Sequence, residues 1–240
     1  MHWRLFPAMS EDDAPTDDQS IADRLGSFDT CTISDALDTL GLTGAVIGLA
    51  PLTIPGRRIA GEAVTVKLGP PLAGLPKRHL CAAAVMSARN GEVIVIEHRG
   101  RADVSGWGGL LSRGAIKYGL AGVIIDGACR DVDESRELGL PIFGRNAVPV
   151  TARGRIAEHA WDCPVTIGTV VVKPGDWVVA DGSGVVFVDP NRLNDVLREA
   201  ERISAREAAM ALAIEAGSPL DQVLGANYED LLNGAESNHG

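Results

Sequence analysis

Two apolar runs separated by one helical segment constrain the fold of this chain more than any other feature. Residues 93–97 are a dense β-branched run, and residues 122–125 form a second run that is followed by Asp126-Gly127. Between them, a glycine-rich segment at residues 106–109 opens a helix that ends at Gly119. Short apolar runs bounded by turn residues are typical of buried strands. A strand, a helix and a strand at this spacing predict a parallel crossover, and therefore an α/β fold.

Helices are predicted mainly towards the two ends of the chain, and short strands in its second half. One helix is predicted to start at Ile21, and two more are predicted at residues 30–40 and 78–89. A long helix is predicted from Pro190 to about Ala216. Further strands are predicted at residues 59–66, 141–143, 148–151, 165–172, 177–180 and 185–188. We expect one domain at residues 20–216, with a flexible N-terminal extension at 1–19 and a C-terminal tail at 217–240.

The composition and charge of the chain argue against several classes of function. A net charge of −10 disfavours nucleic-acid binding, which needs clustered Lys and Arg. The four cysteines form no Cys-x-x-Cys pair, which predicts free thiols in a reducing compartment rather than disulfides or a zinc site. No apolar run approaches the ~20 residues of a membrane span, and the N-terminus does not resemble a signal peptide. We expect a soluble, cytoplasmic protein with no membrane partner.

The segment after the second strand, residues 125–134, carries the residues best suited to chemistry. Ligands of open α/β sheets bind beyond the carboxyl ends of the strands. There, Arg130 offers a planar fork for a carboxylate, and Asp131 offers hard oxygens for a divalent cation. Asp131 could instead cap the short helix that follows, with Glu134 completing a capping box. Capping does not explain Arg130, and both roles could share one loop.

Other candidate residues have structural explanations that compete with functional ones. The glycines at 106–109 could present helix N–H groups to a carboxylate, or could serve only for close packing. His98 follows the first strand and could face the same cleft, whereas His79 and His159 are expected to be structural. Cys129 is expected to be a packing residue, because no His-Asn or His-Asp arrangement accompanies it.

One spacing in this region matches a family signature. Gly109, twenty further residues, Arg130-Asp131, two more residues and Glu134 resemble the G-x20-R-D-x2-E/D signature of the family of regulator of ribonuclease activity A (RraA). The wider family includes metal-dependent 4-hydroxy-4-methyl-2-oxoglutarate/4-carboxy-4-hydroxy-2-oxoadipate aldolases. The resemblance covers roughly residues 20–215, with matching segments at 32–37, 59–65, 107–111, 174–176 and 181–186.

The resemblance implies a fold, an assembly and roles for the loop. The implied fold is α/β of the swivelling β/β/α type, with a parallel central sheet and a second antiparallel sheet. The implied assembly is a homotrimer or a dimer of trimers. Arg130 would grip the carboxylate of a pyruvate-like group, and Asp131 would bind Mg²⁺ or Mn²⁺ directly.

Further site residues follow from the same resemblance. The substrate would also contact the start of the crossover helix that follows the glycine-rich segment, at Gly108, Gly109, Leu110 and Leu111. An acidic side chain of a neighbouring subunit would support the metal. Glu207 is the best match for it, with Glu199 and Glu201 as alternatives, because the spacing of acids in this helix is not diagnostic.

The implied activity is that of a divalent-metal-dependent lyase, which cleaves a C–C bond of a 2-oxo acid and gives pyruvate through a metal-stabilised enolate. It would be an oxaloacetate decarboxylase, a 4-hydroxy-4-methyl-2-oxoglutarate-type aldolase, or both. Aldolases of the family carry Asp where this chain has Gly109, so retro-aldol cleavage needs another base, for which Asp103 and His98 are candidates. Decarboxylation needs mainly an electron sink, and the metal ion that stabilises the enolate would provide it. The alternative is a non-catalytic protein that binds and regulates a ribonuclease.

Overall fold

The structure is a computed structural model that describes residues 17–74 and 79–225. Its helices are α1 (Asp17–Ser27), α2 (Thr30–Thr39), α3 (Ala82–Ser87), α4 (Gly109–Lys117), α5 (Val132–Glu137), α6 (Leu193–Glu215) and α7 (Leu220–Val223). Its strands are β1 (Ala45–Val46), β2 (Ala50–Pro51), β3 (Ile59–Gly69), β4 (Val93–Trp107), β5 (Gly122–Cys129), β6 (Ile142–Ala147), β7 (Ala157–Trp161), β8 (Val165–Ile167), β9 (Val170–Val172), β10 (Trp177–Asp181) and β11 (Gly184–Val188).

Four neighbouring strands, β3 to β6, form a parallel sheet at the centre of the fold. On the β3 side the sheet continues antiparallel through β10, β11 and β1, and β2 lies at the other edge. β7 also pairs with β3, while β8 and β9 form a separate antiparallel hairpin. The predicted parallel crossover from β4 through α4 to β5 is confirmed. So is the mixed α/β fold with a second, small antiparallel sheet.

The central strands are covered on both faces, which explains their continuous apolar sequences. Every residue of β5 is buried. α3 and α4 belong to one core cluster with the central strands, through Val85, Leu111 and Ala115. Burial of side chains such as Val85 and Leu111 contributes about 1.5–3 kcal/mol each. α4 is therefore held firmly on the sheet, and its first turn is fixed beside the end of β5.

β5 is longer than predicted, because its charged residue is paired inside the fold. The sequence predicted that the strand ends before Asp126. The Asp126 carboxylate is instead buried, and it accepts hydrogen bonds from Arg145 Nε at 2.6 Å and from the Gly168 N–H at 3.1 Å. The strand continues, and the loop with the candidate residues begins at Arg130. β4 is also longer than predicted, because it continues past residue 97 and includes residues 98–107.

The helix predicted at residues 78–89 is shorter in the structure, where it is α3. Cys81 precedes α3 with a φ of 62°, in the left-handed region. Its N–H donates to the buried carboxylate of Glu158, at 2.7 Å. This contact joins the residue before α3 to β7. Residues 75–78 lie outside the described part of the chain.

Two strand predictions in the second half of the chain were wrong. Residues 148–151 form no strand, although the Val150 carbonyl accepts the Ser105 N–H of β4 at 3.1 Å. The strand nearby is β7, which the sequence pattern did not predict. The single strand predicted at 165–172 is the β8–β9 hairpin, because Gly168, with a φ of 58°, lies in the turn between them.

The two ends of the described chain are helical. α1 begins at Asp17, slightly before the predicted end of the N-terminal extension, and residues 1–16 lie outside the description. The predicted stop of the long helix is confirmed, since Gly217 follows α6 with a φ of 91°. The predicted tail then forms α7, whose Val223 is buried, and residues 226–240 are not described. Among the described helices, none has the length and apolarity needed to cross a membrane.

Glu97 ties the β8–β9 hairpin to the sheet. Its buried carboxylate accepts hydrogen bonds from the Thr166 N–H at 2.8 Å and from Arg99 Nε at 3.0 Å, and it lies 3.8 Å from Lys67 Nζ. Burial acts to raise the pKa of this carboxyl, but the hydrogen bonds and the two cations outweigh it and lower the pKa. The ionised form therefore stabilises the fold above the ordinary pKa of a glutamate, and this contribution is lost as the pH falls through the folded value.

The substitution Glu97→Gln is expected to lower the free energy of unfolding by about 1–3 kcal/mol near neutral pH. A neutral amide binds the N–H and the cations more weakly, while both cations are part-exposed and can return to water. Urea denaturation at about pH 7 and about pH 3 measures the effect, and the difference from wild type should shrink at the lower pH. The exposed Glu137→Gln is the matched control. An equal loss at both pH values would contradict the role given to the ionised carboxylate.

Candidate active site

A cavity of about 340 Å³ lies where β4 and β5 end and where α4 and α5 begin. Its lining includes every residue that the family resemblance assigned to one subunit's substrate and metal contacts: Gly108, Gly109, Leu110, Leu111, Arg130 and Asp131. Residues about twenty positions apart in sequence meet here because the parallel crossover brings the two strand ends to the same edge of the sheet. The cavity is therefore the candidate active site.

The side chain of Asp131 points back to α4 instead of capping α5. Its backbone is left-handed, with a φ of 55°, and its carboxylate makes no capping hydrogen bond to α5. Oδ2 instead accepts the Gly109 N–H at 3.0 Å. A Cβ on Gly108 would lie 2.9 Å from this same oxygen, so the glycine leaves room for the carboxylate in this position. The capping-box alternative is therefore wrong, and the carboxylate belongs to the cavity.

The carboxylate of Asp131 fits the chemistry of a Mg²⁺ or Mn²⁺ ligand. Its side chain is 35% exposed, at the border of the cavity. Mg²⁺ keeps several waters and needs only one or two carboxylates from a protein. The described residues contain no cluster of three or more His, Cys, Asp or Glu side chains that could enclose a metal. The residues present thus suit a hydrated hard cation and not a soft metal in a closed protein cage.

Arg130 lies directly after β5 and beside Asp131. Its N–H donates to the Trp107 carbonyl at 3.0 Å, which anchors the backbone to β4. Its Nε lies 3.2 Å from each carboxylate oxygen of Asp131. Within the described residues, the remaining guanidinium N–H groups have no acceptor, and they are the groups that bind a carboxylate bidentately.

The first turn of α4 supplies backbone donors to the same cavity. Leu110 and Leu111 follow Gly109, whose N–H is already bound by Asp131. In the described part of the chain no acceptor binds the Leu110 or Leu111 N–H groups. Unpaired N–H groups at a helix N-terminus favour an anion. These donors agree with the functional interpretation of the glycine-rich helix start, and Gly106, where a Cβ would lie 2.9 Å from both Leu68 and Ile125, also allows close packing.

A buried hydrogen-bond chain joins the two helices that form the site. Trp107 Nε1 donates to Ser112 Oγ at 2.9 Å, and Ser112 Oγ lies 2.8 Å from Ser135 Oγ. Ser135 Oγ in turn donates to the Asp131 carbonyl at 3.0 Å. This chain fixes the left-handed loop relative to α4. Sequence analysis missed it, because a serine in a helix has no pattern that distinguishes a buried partner from a solvated one.

Glu134 is a cavity residue that sequence analysis considered only as a cap and as part of the signature. Its Oε1 accepts a hydrogen bond from Arg113 Nε of α4 at 2.7 Å. A Cβ built on Gly109 would lie 2.0 Å from its Oε2. The carboxylate thus lies directly over the α-carbon of Gly109. The spacing of the signature, with glycine at one end and an acid at the other, was the available signal.

Two other parts of the chain form another wall of the cavity, with His79 from the segment before α3 and Thr151 and Arg153 from the segment after β6. His79 was expected to be structural; its exposed ring lies at the cavity, and its Nδ1 lies 3.1 Å from the Leu80 carbonyl. The sequence offered no signal for these residues. Thr151 and Arg153 reach the site because the segment after β6 returns to β4 without forming the predicted strand, whereas His79 lies in the segment before α3.

Two residues proposed as substitute bases do not line the cavity. His98 is buried inside β4, where Nε2 lies 2.8 Å from the Val104 carbonyl, and burial lowers the pKa of its ring. Asp103 is exposed and paired with Arg101, which lowers the pKa of this carboxyl to about 2. Neither can serve as the base of this cavity within one chain.

Cys129 and the acids of α6 are also accounted for. Burial raises the pKa of the Cys129 thiol to about 12, which fits the expected packing role. Glu207 is exposed on α6 and does not line the cavity of its own chain. Glu199, which pairs with Arg202, does not line it either. The same is true of Glu201, which pairs with Arg24. Their predicted role concerned a neighbouring subunit, and it stays a prediction.

Comparison of the sequence with known proteins finds a matching family model and several relatives. The family model described as "RraA-like: Aldolase/RraA" matches residues 30–187. A "Putative 4-hydroxy-4-methyl-2-oxoglutarate aldolase" of Halalkalibacterium halodurans is 33% identical over 187 residues, which is 77% of this chain and 84% of that protein. Protein DlpA of Legionella pneumophila is 30% identical over 203 residues; the match spans 85% of this chain but only 33% of DlpA.

Solved structures with the same fold agree with this result. An uncharacterized protein from Pseudomonas syringae is 33% identical, with a TM-score of 0.76, over 85% of this chain and 96% of that one. RraAS2 of Streptomyces coelicolor, described as an unusual member of the RNase ES inhibitor RraA family, is 27% identical, with a TM-score of 0.71, over 80% of this chain and 95% of that one. The family model covers the strands, the crossover and the loop of the cavity, and this chain therefore belongs to the RraA-like family.

Proposed function

We propose that this protein is a divalent-metal-dependent lyase that cleaves a C–C bond of a 2-oxo acid and releases pyruvate. The observation that carries the proposal is the meeting of the Arg130 guanidinium, the Asp131 carboxylate and the unpaired N–H groups of α4 at one cavity. A 2-oxo acid has a carboxylate for the guanidinium and a neighbouring carbonyl that a hard cation can polarise. Relatives named as putative aldolases support the same reaction class.

Each of these residues has a defined task in the proposed reaction. Arg130 would hold the substrate carboxylate by paired, charge-assisted hydrogen bonds, which orients the bond to be broken. Asp131 would hold Mg²⁺ or Mn²⁺, and a bound cation supplies Lewis acidity to the 2-oxo group. The Leu110 and Leu111 N–H groups, at the positive end of α4, would stabilise negative charge that develops on substrate oxygens.

The cavity lining favours a substrate with a second anionic group. His79 and Arg153 line the cavity in addition to Arg130. Oxaloacetate and 4-hydroxy-4-methyl-2-oxoglutarate both carry a second carboxylate that such side chains could bind. Decarboxylation of oxaloacetate needs mainly the electron sink, whereas aldol cleavage also needs a base for the hydroxyl proton. Both reactions belong to the proposal. Decarboxylation is the one that does not need the base that is missing when residue 109 is glycine.

Regulation of a ribonuclease is the second candidate function. The observation that favours it is the likeness to RraAS2, which is described as a member of an RNase inhibitor family. The Gly109-type signature is also shared with the regulator subgroup. A protein that acts only in this way would need neither a divalent cation nor a 2-oxo acid. Under either function we expect a cytoplasmic homotrimer or dimer of trimers, which light scattering after size-exclusion chromatography would test.

The experiment that tests the proposal is a measurement of pyruvate release from oxaloacetate and from 4-hydroxy-4-methyl-2-oxoglutarate. Each reaction is run with Mg²⁺, with Mn²⁺ and with a chelator, and lactate dehydrogenase detects the product. A blank with metal and no protein corrects for metal-catalysed decarboxylation. The proposal expects protein-dependent release that the chelator abolishes. Rates equal to the blank with both substrates and both metals would overturn it and would favour the regulator.

A further inference from the structure

We propose that a second cavity, on the face of the central sheet opposite α4, binds a small oxyanion, either a phosphate or a carboxylate. This hairpin-side cavity has a volume of about 470 Å³ and is lined in part by the β8–β9 hairpin. Its charged lining residues are Lys67, Glu97, Arg99, Asp126 and Arg145. The inference does not depend on the lyase function, because the two cavities share no lining residue.

The register of the parallel strands brings these charges into one row. Lys67 of β3 is the register partner of Glu97 of β4, and Asp126 of β5 and Arg145 of β6 each follow a paired residue. Two residues before the last three of these lie members of the core cluster that includes β8: Val95, Ile124 and Phe143. Side chains two residues apart in a strand share a face. The row therefore faces the β8–β9 hairpin, whereas α4 packs on the other face.

Both carboxylates of the row are buried and already bound by donors of the protein. The Glu97 carboxylate accepts Arg99 Nε at 3.0 Å on one oxygen and a β8 N–H at 2.8 Å on the other. The Asp126 carboxylate accepts Arg145 Nε at 2.6 Å on one oxygen and the N–H of the hairpin turn at 3.1 Å on the other. Each of the four oxygens thus has a donor, and the carboxylates serve to hold the arginines in place.

The cations of the hairpin-side cavity have more donors than the protein uses. Arg99 and Arg145 each donate through Nε, and among the described residues no acceptor binds their terminal Nη nitrogens. Lys67 Nζ lies 3.8 Å from the Glu97 carboxylate, which is too long for a hydrogen bond. The described lining therefore holds three cations against two carboxylates, in a chain whose net charge is −10. An oxyanion would supply both the acceptors and the charge that this cavity lacks.

Arg145 is held in position without any ligand. A Cβ on Gly48 would lie 3.1 Å from its Nη1, and a Cβ on Gly100 would lie 3.7 Å from its Nε. Both glycines have a positive φ, of 81° and 68°. The guanidinium is therefore packed against two α-carbons and is also fixed at Nε by Asp126. A donor group that is already ordered loses little conformational entropy when a ligand binds.

Isothermal titration calorimetry with inorganic phosphate and with succinate tests the inference. Both anions are titrated into metal-free protein, and sodium chloride at equal ionic strength is the reference. The variant Arg130→Met removes the guanidinium of the candidate active site, so binding that it retains arises elsewhere. We expect saturable binding of at least one oxyanion in wild type and in Arg130→Met. Binding of phosphate alone assigns a phosphorylated ligand to the cavity, and binding of succinate alone assigns a carboxylate.

Two variants in the Arg130→Met background locate the site. Arg99→Gln removes a charged fork and should raise the Kd about 10-fold or more. Because this side chain is 61% exposed, the unfolding midpoint without anion should stay close to that of the parent. Arg145→Lys keeps a charge beside the buried Asp126 but loses the planar fork, and it should raise the Kd in the same direction.

Arg101→Gln is the matched control for these variants. Arg101 lies two residues after Arg99 in β4 and pairs with Asp103, but it does not line the hairpin-side cavity. Its Kd should equal that of the parent. The inference is overturned if neither oxyanion binds saturably to Arg130→Met, or if Arg99→Gln and Arg101→Gln have the same Kd. Since the titrations need neither metal nor 2-oxo acid, failure of the lyase proposal would not change either result.

Discussion

Replacement of Asp131 by asparagine is expected to lower metal-dependent turnover by about 10³-fold or more, with the fold intact. Asparagine has the same shape and can still accept the Gly109 N–H, which Asp131 accepts at 3.0 Å. It lacks the charge that a hard cation requires from a site with so few protein ligands. The rate of pyruvate release and the affinity for Mn²⁺, measured by calorimetry without substrate, should fall together. Circular dichroism and the unfolding midpoint should stay close to wild type.

Asp133→Asn is the control for the Asp131 prediction. It removes the same charge two residues away, from a side chain that faces solvent. Its turnover and Mn²⁺ affinity should match wild type. If Asp131→Asn keeps both properties, Asp131 is not the metal ligand. If it loses turnover but binds Mn²⁺ normally, its role is to position the first turn of α4 and not to hold the cation.

Replacement of Arg130 by methionine is expected to raise the KM for oxaloacetate about 100-fold, with a smaller change in kcat. Two charge-assisted hydrogen bonds to a carboxylate are worth about 1.5–3 kcal/mol each, and part of that energy is recovered when water replaces the guanidinium. Methionine retains much of the apolar stem of the side chain. Steady-state kinetics at saturating Mg²⁺ measure the change.

Arg101→Met is the matched control for the Arg130 prediction, because this arginine is paired with Asp103 outside the cavity. It should leave KM unchanged. A variant of Arg130 that lowers kcat and leaves KM unaltered would contradict carboxylate binding, and would place the guanidinium's effect in the transition state alone.

Several parts of this molecule could be predicted from local sequence. The crossover from β4 through α4 to β5 follows from two dense apolar runs and a glycine-bounded helix, because such patterns depend on neighbours a few residues apart. The convergence of Gly109, Arg130 and Asp131 follows from the same crossover, since parallel strands end at one edge of a sheet. Their roles in binding a metal and a substrate stay predictions until the variants are measured.

Sequence reasoning failed where an orientation or a distant partner decides the outcome. The strand at residues 122–125 was predicted to end before Asp126, because the apolar run stops there. The strand continues because Arg145 and the Gly168 N–H lie on its buried carboxylate. His98 was a candidate for the cleft but is turned towards the Val104 carbonyl. Neither partner can be read from the residues on either side.

The sequence by itself determined the α/β class, the order of the central elements and the set of residues at the strand ends, because each depends on local periodicity or on a fixed spacing. Only the tertiary structure decided which carboxylates enter the cavity. Asp131 turns to the Gly109 N–H instead of capping its own helix, and Glu134 lies over the α-carbon of Gly109, 2.0 Å from where a Cβ would be. The physical reason is that both positions depend on how closely α4 and α5 approach, and this distance is set by the packing of the whole core.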